Sequence, residues 1–375
     1  MNLLFAEGPA AGGSPESVAL LAEALRARGH TVTQVSGGPW RGSERGWTGP
    51  AWWWVGAASL LGSGADLIHA HDRRWAIPAL LAARLTKVPV VLTLRDVGLF
   101  CPIATCFLWE GPERPADCGQ VRLWRRCAPW FGRAYGAPTG FRRRLAIRYA
   151  LLRFEQRAAV RFDALIWPSL GLARHYLETL PMVGSVIPSP VRPVPDHRCL
   201  HGWPPFVLFV GKPSLGKGYR DFEDAARLLR RQGREAEFVH VGPKPDPAIQ
   251  DDPVEHIGVQ GREGVDTWLC RADVVVVPSR IPDALPRVAL EAMAHGRFLV
   301  VSDRGGLPEC VKPGVTGFVV PAGQPAALAE AIGTALADPE RRRTGEAWAR
   351  RLAKEHHAPE KIADAHERLY HGLLP

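Results

Sequence analysis

The sequence lacks the features that would carry this chain into or across a membrane. Its longest stretch without a charged residue, 46–65, is broken by Pro50 and several glycines, and it contains the run Trp52–Trp54. This composition is poor for a transmembrane helix, which needs about 20 predominantly apolar residues. The first residues, MNLLFAEGPAAGG, also lack the basic segment of a secretory signal peptide. We therefore expect the protein in the cytoplasm.

Acidic residues are outnumbered by basic ones, and the formal net charge is +9. The densest basic segment, 141–162, has seven arginines and one glutamate, with Leu145, Tyr149, Leu152 and Val160 near helical spacing. It predicts an amphipathic basic helix, either an ordinary exposed helix of a domain or a contact with the anionic inner face of a membrane. Because no nucleic-acid module stands nearby, we expect no nucleic-acid partner.

Strand and helix patterns alternate along the whole chain, which is typical of parallel sheets flanked by helices. A proline-rich segment with little periodicity interrupts the alternation. We predict an α/β fold with two Rossmann-like domains whose parallel sheets face a central cleft, with ligands at the carboxyl ends of the strands. The predicted parts are an N-terminal domain (1–190), a linker (191–204), a C-terminal domain (205–355) and a final helix (356–375) packing back toward the N-terminal domain.

A glycine-rich loop, GKPSLGKG, directly follows the apolar strand FVLFV. Between the strand and the next helix, Lys212 and Lys217 could bring ammonium groups, together with backbone amides, against a phosphate. The loop is not a Walker A sequence, because no Gly-Lys-Ser/Thr stands at the required offset. A glycine-rich turn with two solvated lysines is the structural alternative.

Two acids flank the predicted start of a helix in ADVVVVPSRIPDALPRVALEAMAHG. Pro286 suits the first turn of that helix, so Asp283 precedes it and Glu291 lies within it. Asp283 could accept hydrogen bonds from sugar hydroxyls, and Glu291 could hold a ribose diol. Alternatively, Asp283 only caps the helix and Glu291 is a surface acid.

These motifs together resemble a known family. FVGKPSLGKG, ADVVVVPSR, the acid-x7-Glu pair, EAMAHG, SDRGGLPE and GVTG closely resemble the retaining nucleotide-sugar glycosyltransferases of the group one/family four type, which have the GT-B fold. The glycines after the first strand and the segments DLIHAHD, VVLTLRDVGLFCP and VIPSPV also have family counterparts. The resemblance covers nearly the whole chain, and the C-terminal block is its most specific part.

The resemblance implies an acceptor domain followed by a nucleotide-sugar donor domain. Its catalytic positions are Lys212 and Lys217, which would hold the donor diphosphate, Asp283, which would contact the donor sugar, and Glu291, which would bind the ribose. The other donor-side positions are Gly211, Ala284, Leu285, Arg287, Val288, Gly305, Gly306 and Glu309. The acceptor-side positions are Gly12, Gly13, His71, Arg95 and Asp96.

Three residues depart from the family pattern. Arg95 stands where the family often has histidine, and it cannot act as a base because its pKa is too high. Asp283 is one methylene shorter than the family's glutamate, so the geometry toward the donor sugar can differ. Pro286 has no N–H where many members have glycine. None of these departures removes the groups that would bind the diphosphate.

The implied reaction is a transfer from a nucleoside-diphosphate sugar to a glycan, lipid-linked or small-molecule acceptor, with retention of anomeric configuration. It would need no metal ion and no cofactor besides the donor substrate. Because it asks the protein mainly for orientation and charge stabilisation, the absence of an evident base or DxD pair is compatible with it. The rival interpretations are a sugar-nucleotide epimerase on the same fold and a non-catalytic subunit that binds a partner enzyme or a membrane.

Cys101, Cys106, Cys118 and Cys127 cluster in one insertion. Their spacing matches no zinc-ribbon pattern, so a metal site, a disulfide and ordinary thiols all stay open, and we expect no metal. His69 and His71 of LIHAHD either contact a ligand or are structural. The run Trp52–Trp54 could be core, an acceptor platform or an interfacial anchor.

Overall fold

The computed structural model describes residues 1–7, 14–36, 50–99, 101–103, 119–135, 140–177, 183–195, 204–245 and 253–374. The chain forms two compact domains. The first contains Met1–Pro190 and Pro359–Pro375, and the second contains Val191–Ala358. Several predicted positions lie outside the described residues: Gly12, Gly13, Cys106 and Cys118.

The described residues contain two six-stranded sheets, and every pairing between their strands is parallel. The strands are β1 (Asn2–Glu7), β2 (Thr31–Ser36), β3 (Leu67–Ala70), β4 (Val90–Thr93), β5 (Ala164–Trp167), β6 (Ser185–Val186), β7 (Phe206–Val210), β8 (Glu237–Val241), β9 (Glu255–Gly258), β10 (Val274–Val277), β11 (Phe298–Ser302) and β12 (Gly317–Val320). The predicted α/β class with two parallel sheets is confirmed.

Helices connect most of these strands, as parallel pairing requires. The α-helices are α1 (Ser14–Ala27), α2 (Pro50–Leu60), α3 (Ala76–Thr86), α4 (Gln120–Arg122), α5 (Ala128–Tyr135), α6 (Phe141–Ala159), α7 (Leu170–Leu177), α8 (Tyr219–Arg231), α9 (Arg262–Arg271), α10 (Arg287–Ala294), α11 (Pro325–Ala337), α12 (Pro339–His357) and α13 (Pro359–His371). A π-helical turn (Leu123–Cys127) joins α4 to α5, and 3₁₀ helices cover Arg73–Trp75, Leu215–Lys217 and Leu307–Cys310. Over the described residues, none of the helices combines the length and the apolar character that crossing a bilayer requires.

The first sheet has the order β2-β1-β3-β4-β5-β6. On one of its faces, strand residues such as Phe5 and Val91 pack with Leu21 of α1 and with Ile362 and Tyr370 of α13. Ion pairs from Arg28 to Asp364 and Glu367 join α1 and α13 at the surface. The helix α13 therefore belongs to the core of the first domain although about 170 residues of the second domain precede it in the chain.

The second sheet has the order β12-β11-β10-β7-β8-β9. Successive residues of β10 alternate between two hydrophobic cores, since Val275 and Val277 pack in one and Val274 and Val276 in the other. This is the pattern of a strand with helices on both faces, because neighbouring side chains point to opposite sides of the sheet. The fully apolar run VVVV thus fits the centre of a parallel sheet.

Candidate active site

The strand order of the second sheet reverses between β7 and β10. The domain starts at β7, adds β8 and β9 on one side, and then adds β10, β11 and β12 on the other. In open parallel sheets, ligands bind outside the carboxyl ends of the strands at such a reversal. The loop after β7 carries Lys212 and Lys217, and the loop after β10 carries Asp283, so these predicted site residues stand at the reversal.

Lys217 and Asp283 form a two-pronged ion pair. Lys217 Nζ donates to Asp283 Oδ1 at 2.7 Å and to Oδ2 at 2.8 Å. Ser279 Oγ also donates to Asp283 Oδ2, at 2.5 Å. The Asp283 side chain is 15% exposed and that of Lys217 is 39% exposed. The carboxylate therefore fixes the direction of an ammonium group that an anion can still reach from solvent.

Backbone contacts hold the two loops against each other. Arg280 N donates to Gly216 O at 2.9 Å. Gly218 has φ 69°, and a Cβ atom added there would lie 2.0 Å from Pro278 O. Arg280 also forms an ion pair with the buried Asp221 in the first turn of α8. These contacts explain how short loops from neighbouring strands keep Lys217 beside Asp283.

The glycine pair after β11 supports Asp283 from the other side. Gly306 N donates to Asp283 O at 2.8 Å. Gly305 has φ 56°, and a Cβ atom there would lie 2.0 Å from Asp283 O. Glu309 lies close by in sequence, exposed on the 3₁₀ helix Leu307–Cys310. Gly305 is needed for the close approach of two backbones, which a sequence motif alone could not show.

The loop that carries Lys212 is fixed at its first residue. His240 Nε2 lies 2.8 Å from Gly211 O and donates to it, because a carbonyl can only accept. His240 Nδ1 then lies 3.1 Å from His256 Nδ1, on the next strand. Lys212 itself is exposed. Gly211 is thus anchored to β8, while the lysine after it extends into solvent.

Helix α10 begins at Arg287, with Pro286 at its N-cap. The prediction placed Pro286 in the first turn, and the observed start is one residue later. Leu285 and Val288 pack against the domain core, so their backbone amides rather than their side chains can serve a ligand. Ala284 is half-buried in the segment before the helix.

Glu291 lies one turn inside α10 and is held by two arginines. Arg287, four residues earlier, donates to Glu291 Oε1. Arg262 Nη1, at the start of α9, lies 3.7 Å from the same oxygen. Because both contacts use Oε1, they orient the carboxylate and leave Oε2 available to a ligand.

Arg95 and Asp96, which the sequence predicts on the acceptor side, lie at the carboxyl edge of the first sheet. Arg95 Nη1 contacts Ser189 Oγ at 3.4 Å. Asp96 is exposed, and its Oδ1 accepts a hydrogen bond from Gly98 N at 2.7 Å and lies 3.5 Å from Arg73 Nε. Both residues therefore stand in a polar loop directly after β4.

The two histidines of LIHAHD have different surroundings. His69 Nδ1 lies 2.6 Å from the hydroxyl of Tyr370, and its Nε2 lies 2.8 Å from Thr93 Oγ1, so this histidine is structurally satisfied. His71 stacks near it, with ring centroids 3.8 Å apart, and packs edge-on against Phe5 at 4.6 Å. Burial lowers the pKa of both histidines well below the usual value, so they are neutral at pH 7.

Glu7, the last residue of β1, is a buried acid that the sequence analysis did not single out. Burial raises the pKa of its carboxyl group, and the Arg95 guanidinium opposes that rise. An acid at the end of a short apolar strand suggests a solvated side chain, so only the position of β1 within the sheet could reveal its burial. Arg262 and His240 were missed because their partners are distant in the chain. Ser279 was missed although its partner Asp283 is only four residues away.

The cysteine cluster is only partly described. Cys101 and Cys127 are both half-buried, and the other two members lie outside the described residues. Across the described ranges, no three His, Cys, Asp or Glu side chains gather in a group that could hold a metal ion.

Two protein-family models match the chain. The model "Glycosyl transferase 4-like domain" matches residues 12–195, and the model "Glycosyl transferases group 1" matches residues 204–338. Each model falls largely on one of the two domains.

Two curated proteins and one solved structure illustrate the similarity. Alpha-D-kanosaminyltransferase of Streptomyces kanamyceticus is 34% identical over 147 residues, which are 37% of this chain and 38% of that protein. Alpha-maltose-1-phosphate synthase of Mycolicibacterium smegmatis is 29% identical over 318 residues, which are 74% of this chain and 72% of that protein. The structure of Anabaena HepE in complex with UDP and glucose matches with a TM-score of 0.68 and 18% identity, over 100% of both chains, a likeness that shows the fold.

Proposed function

Because the chain belongs to the group 1 glycosyl transferases, we propose that it transfers a sugar from a nucleoside-diphosphate sugar to a hydroxyl group of an acceptor. The donor binds to the second domain and the acceptor to the first. The reaction retains the anomeric configuration, and it uses no metal ion and no cofactor besides the donor substrate. Retention, metal independence and the domain roles are parts of this proposal.

The observation that carries the proposal is the Lys217–Asp283 pair at the strand reversal of the second sheet. Three separate segments meet there, namely the loops after β7 and β10 and the glycine turn after β11. The meeting point is where a parallel α/β sheet binds its ligand, and an accessible ammonium group stands in it. A diphosphate is the part of the donor that such a group would bind.

The chemistry follows from charge. When the sugar departs, negative charge develops on the diphosphate, and Lys212 and Lys217 lie on the loop that can neutralise it. The backbone amides at the start of α10, from 284, 285, 287 and 288, add to this field. Glu291 Oε2 binds the ribose hydroxyls, and the Gly305–Gly306 turn and Glu309 border the donor.

The acceptor hydroxyl attacks from the face that the diphosphate leaves. A leaving phosphate oxygen can accept the proton of that hydroxyl, so no protein base is required at the reacting carbon. The work of the protein is then orientation and charge stabilisation. Arg95 and Asp96 contribute on the acceptor side through hydrogen bonds to hydroxyl groups, and the glycines at 12 and 13 let the backbone approach.

We propose a glycan, a lipid-linked sugar or a sugar-like small molecule as the acceptor. The names of the two curated relatives, a kanosaminyltransferase and a maltose-1-phosphate synthase, support a sugar-related substrate. HepE was solved with UDP and glucose, so UDP is the first nucleotide to test.

We also propose that the protein works in the cytoplasm against the anionic inner face of a membrane. Exposed apolar side chains on α2 and α6, namely Trp54, Ile147 and Phe154, form what we call the α2–α6 patch. The rings of Trp53 and Phe154 lie 6.3 Å apart and join the two helices. Exposed arginines of α6 that could bind lipid phosphates are Arg142, Arg143, Arg144, Arg153 and Arg157. Apolar insertion combined with such arginines is the usual chemistry of a peripheral membrane helix.

Calorimetric titration with UDP, GDP, ADP and TDP tests the donor site. We expect one nucleotide to bind the unaltered protein, and Lys217→Met and Glu291→Ala each to weaken it about tenfold or more, ~1.4 kcal/mol. Lys361→Met, an exposed lysine of α13, is the matched control and should bind normally.

The matching sugar nucleotide should then be turned over by the unaltered protein, equally well after treatment with EDTA. If no nucleotide binds, or if the variants bind as well as the unaltered protein, the proposed function is wrong. A non-catalytic subunit would then be the better description.

A further inference from the structure

The first sheet also has a strand reversal, and it lies between β1 and β3. The chain starts at β1, adds β2 on one side, and continues with β3 on the other. Glu7 is the last residue of β1, and His71 directly follows β3, with its N–H donating to Ala6 O at 2.8 Å. The rule that places a ligand at the reversal of the second sheet therefore points to Glu7 and His71 in the first.

Glu7 and His71 stand on the same face of the sheet. Side chains two residues apart on a strand share a face, so Glu7 follows Phe5 and His71 follows His69. The edge-on contact between the rings of Phe5 and His71 shows that these faces coincide. Arg95 likewise lies two residues after Thr93, whose hydroxyl group contacts His69. Three polar side chains thus lie near one another across neighbouring strand ends, a group that we call the row, and Arg95 lies two residues beyond the level of Glu7 and His71.

This row contains buried polar atoms that lack partners. Glu7 is 8% exposed and His71 is 1% exposed. Among the described residues, neither Glu7 Oε2 nor either ring nitrogen of His71 has a hydrogen-bond partner. Buried polar groups are nearly always paired, because an unpaired one loses its hydration without compensation. Two such side chains at a strand reversal point to a ligand that supplies the missing hydrogen bonds.

We propose that Glu7 and His71 form a subsite that binds two neighbouring hydroxyl groups of a polyhydroxylated acceptor, such as a sugar or cyclitol ring. Glu7 accepts a hydrogen bond from one hydroxyl. Neutral His71, which has one N–H and one lone pair, can donate to one hydroxyl and accept from the other. This inference rests on the proposed function, because it narrows the acceptor of that reaction.

The charges of the row favour hydroxyl groups over ions. A phosphate or carboxylate would meet the Glu7 carboxylate, and an ammonium group would meet the Arg95 guanidinium. A hydroxyl group can accept from a nitrogen donor and donate to a carboxylate, so it suits the row without an unpaired charge. Glu7 and His71 would then determine acceptor specificity. They belong to the first domain, whereas the proposed donor site belongs to the second.

The proposal predicts an unusual combination of effects. If the two side chains only stabilised the fold, their replacement would lower the melting temperature. If they serve a ligand, their unpaired atoms destabilise the free protein, so Glu7→Gln and His71→Phe should leave the melting temperature unchanged or raise it. The same replacements should weaken binding of polyols.

Saturation-transfer NMR provides the test, with myo-inositol and methyl α-D-glucopyranoside as probes and cyclohexanol and inorganic phosphate as comparisons. We expect the unaltered protein to bind a polyol in preference to both comparison compounds, and each variant to bind it about tenfold more weakly. Thr31→Ala, an exposed hydroxyl at the amino end of β2 that pairs with Asn2, is the control and should bind normally.

Three results would overturn the subsite: no binding of either polyol, binding that both variants retain, or a fall in melting temperature in both variants. Nucleotide binding is measured alongside to separate the two proposals. Glu7→Gln and His71→Phe should keep the nucleotide affinity of the unaltered protein, because they lie outside the donor domain. If the unaltered protein binds a polyol but no nucleotide, the subsite stands and the donor assignment fails.

Discussion

Gly218 is one of two residues at which the backbones of the candidate donor site lie in direct contact. Its φ of 69° and the 2.0 Å that would separate an added Cβ from Pro278 O leave no room for any side chain. The same holds for Gly305 against Asp283 O. The geometry of the site therefore depends less on side-chain chemistry than on these two glycines, where the backbones of two loops are in contact.

Gly218→Ala should therefore destabilise the protein much more than Gly233→Ala. Both glycines flank α8 and have nearly the same φ, 69° and 71°, but a Cβ at Gly233 would meet nothing within 4 Å. Backbone strain alone should lower the free energy of unfolding by about 1 kcal/mol at Gly233. The added clash should bring the loss at Gly218 to about 3 kcal/mol, since backbone atoms would have to shift. Urea denaturation measures both, and equal losses would contradict the described contact.

Helix α6 has two faces with different partners. On its inner face, Arg148 donates twice to the buried Glu155, at 2.9 Å each, and Gln156 donates to Leu99 O at 2.6 Å. Its outer face carries Ile147 and Phe154 of the α2–α6 patch. The inner face therefore holds the helix against the loop that follows β4, and the outer face is exposed.

If the patch docks on a membrane, α6 variants should bind anionic vesicles less well. Arg143→Glu/Arg144→Glu should remove most binding to vesicles of phosphatidylglycerol and phosphatidylcholine, because about 1 kcal/mol per arginine is lost and repulsion is added. Phe154→Ser should weaken binding through lost apolar burial. Vesicle co-sedimentation measures both, with Val183→Ser, another exposed apolar side chain of the first domain, as the control. Undiminished binding in the arginine variant would rule out this orientation.

The sequence predicted individual strands and helices better than it predicted which of them lie side by side in the fold. The apolar runs that form β7 and β10, and the loops after them, could be located because glycine or proline bounds each run. The adjacency of β7 and β10 could not, because strand order depends on which faces the whole chain can cover. Helix α2 was not predicted, since the uncharged segment around Trp52–Trp54 lacks a clear period. Val160, expected on the apolar stripe of α6, is exposed just beyond the helix end.

The candidate site shows the same contrast between what local sequence reveals and what only the fold reveals. Lys217, Asp283 and Glu291 could be found because each lies in a local motif. The contacts that position them, such as Arg262 to Glu291 or Gly306 to Asp283, join segments that are distant in sequence. Glu7 could not be found from the sequence at all, because its burial is a property of the assembled sheet.

For the whole molecule, buried histidines of the first domain should set the stability in mild acid. Burial lowers the pKa of His366 from 6.5 to about 4, and it lowers those of His69 and His71 well below the usual value. Between these pKa values and the unfolded value near 6.5, the unfolded chain binds more protons, so stability is complete above that range and falls as pH decreases. The raised pKa of Glu7 acts in the opposite direction, because the folded state then binds its proton more readily.

Chemical denaturation at a series of pH values measures this effect. His366 alone should contribute a loss of up to about 3 kcal/mol between pH 6.5 and 4. His366→Phe should reduce the slope of stability against pH in that range. An identical slope in the variant would show that His366 does not titrate differently on unfolding.

The position of α13 has a consequence for synthesis on the ribosome. The chain crosses from the first domain to the second after residue 190 and returns after residue 358, so the second domain is inserted within the first. His69 is synthesised early, but Tyr370, whose hydroxyl group it contacts, is synthesised about 300 residues later. Domains usually fold in the order in which they leave the ribosome. Here, all residues of the second domain emerge before α13, which the first domain needs to complete its core. The nascent second domain can therefore close its core first, while the first domain stays unfinished until its last helix leaves the ribosomal tunnel.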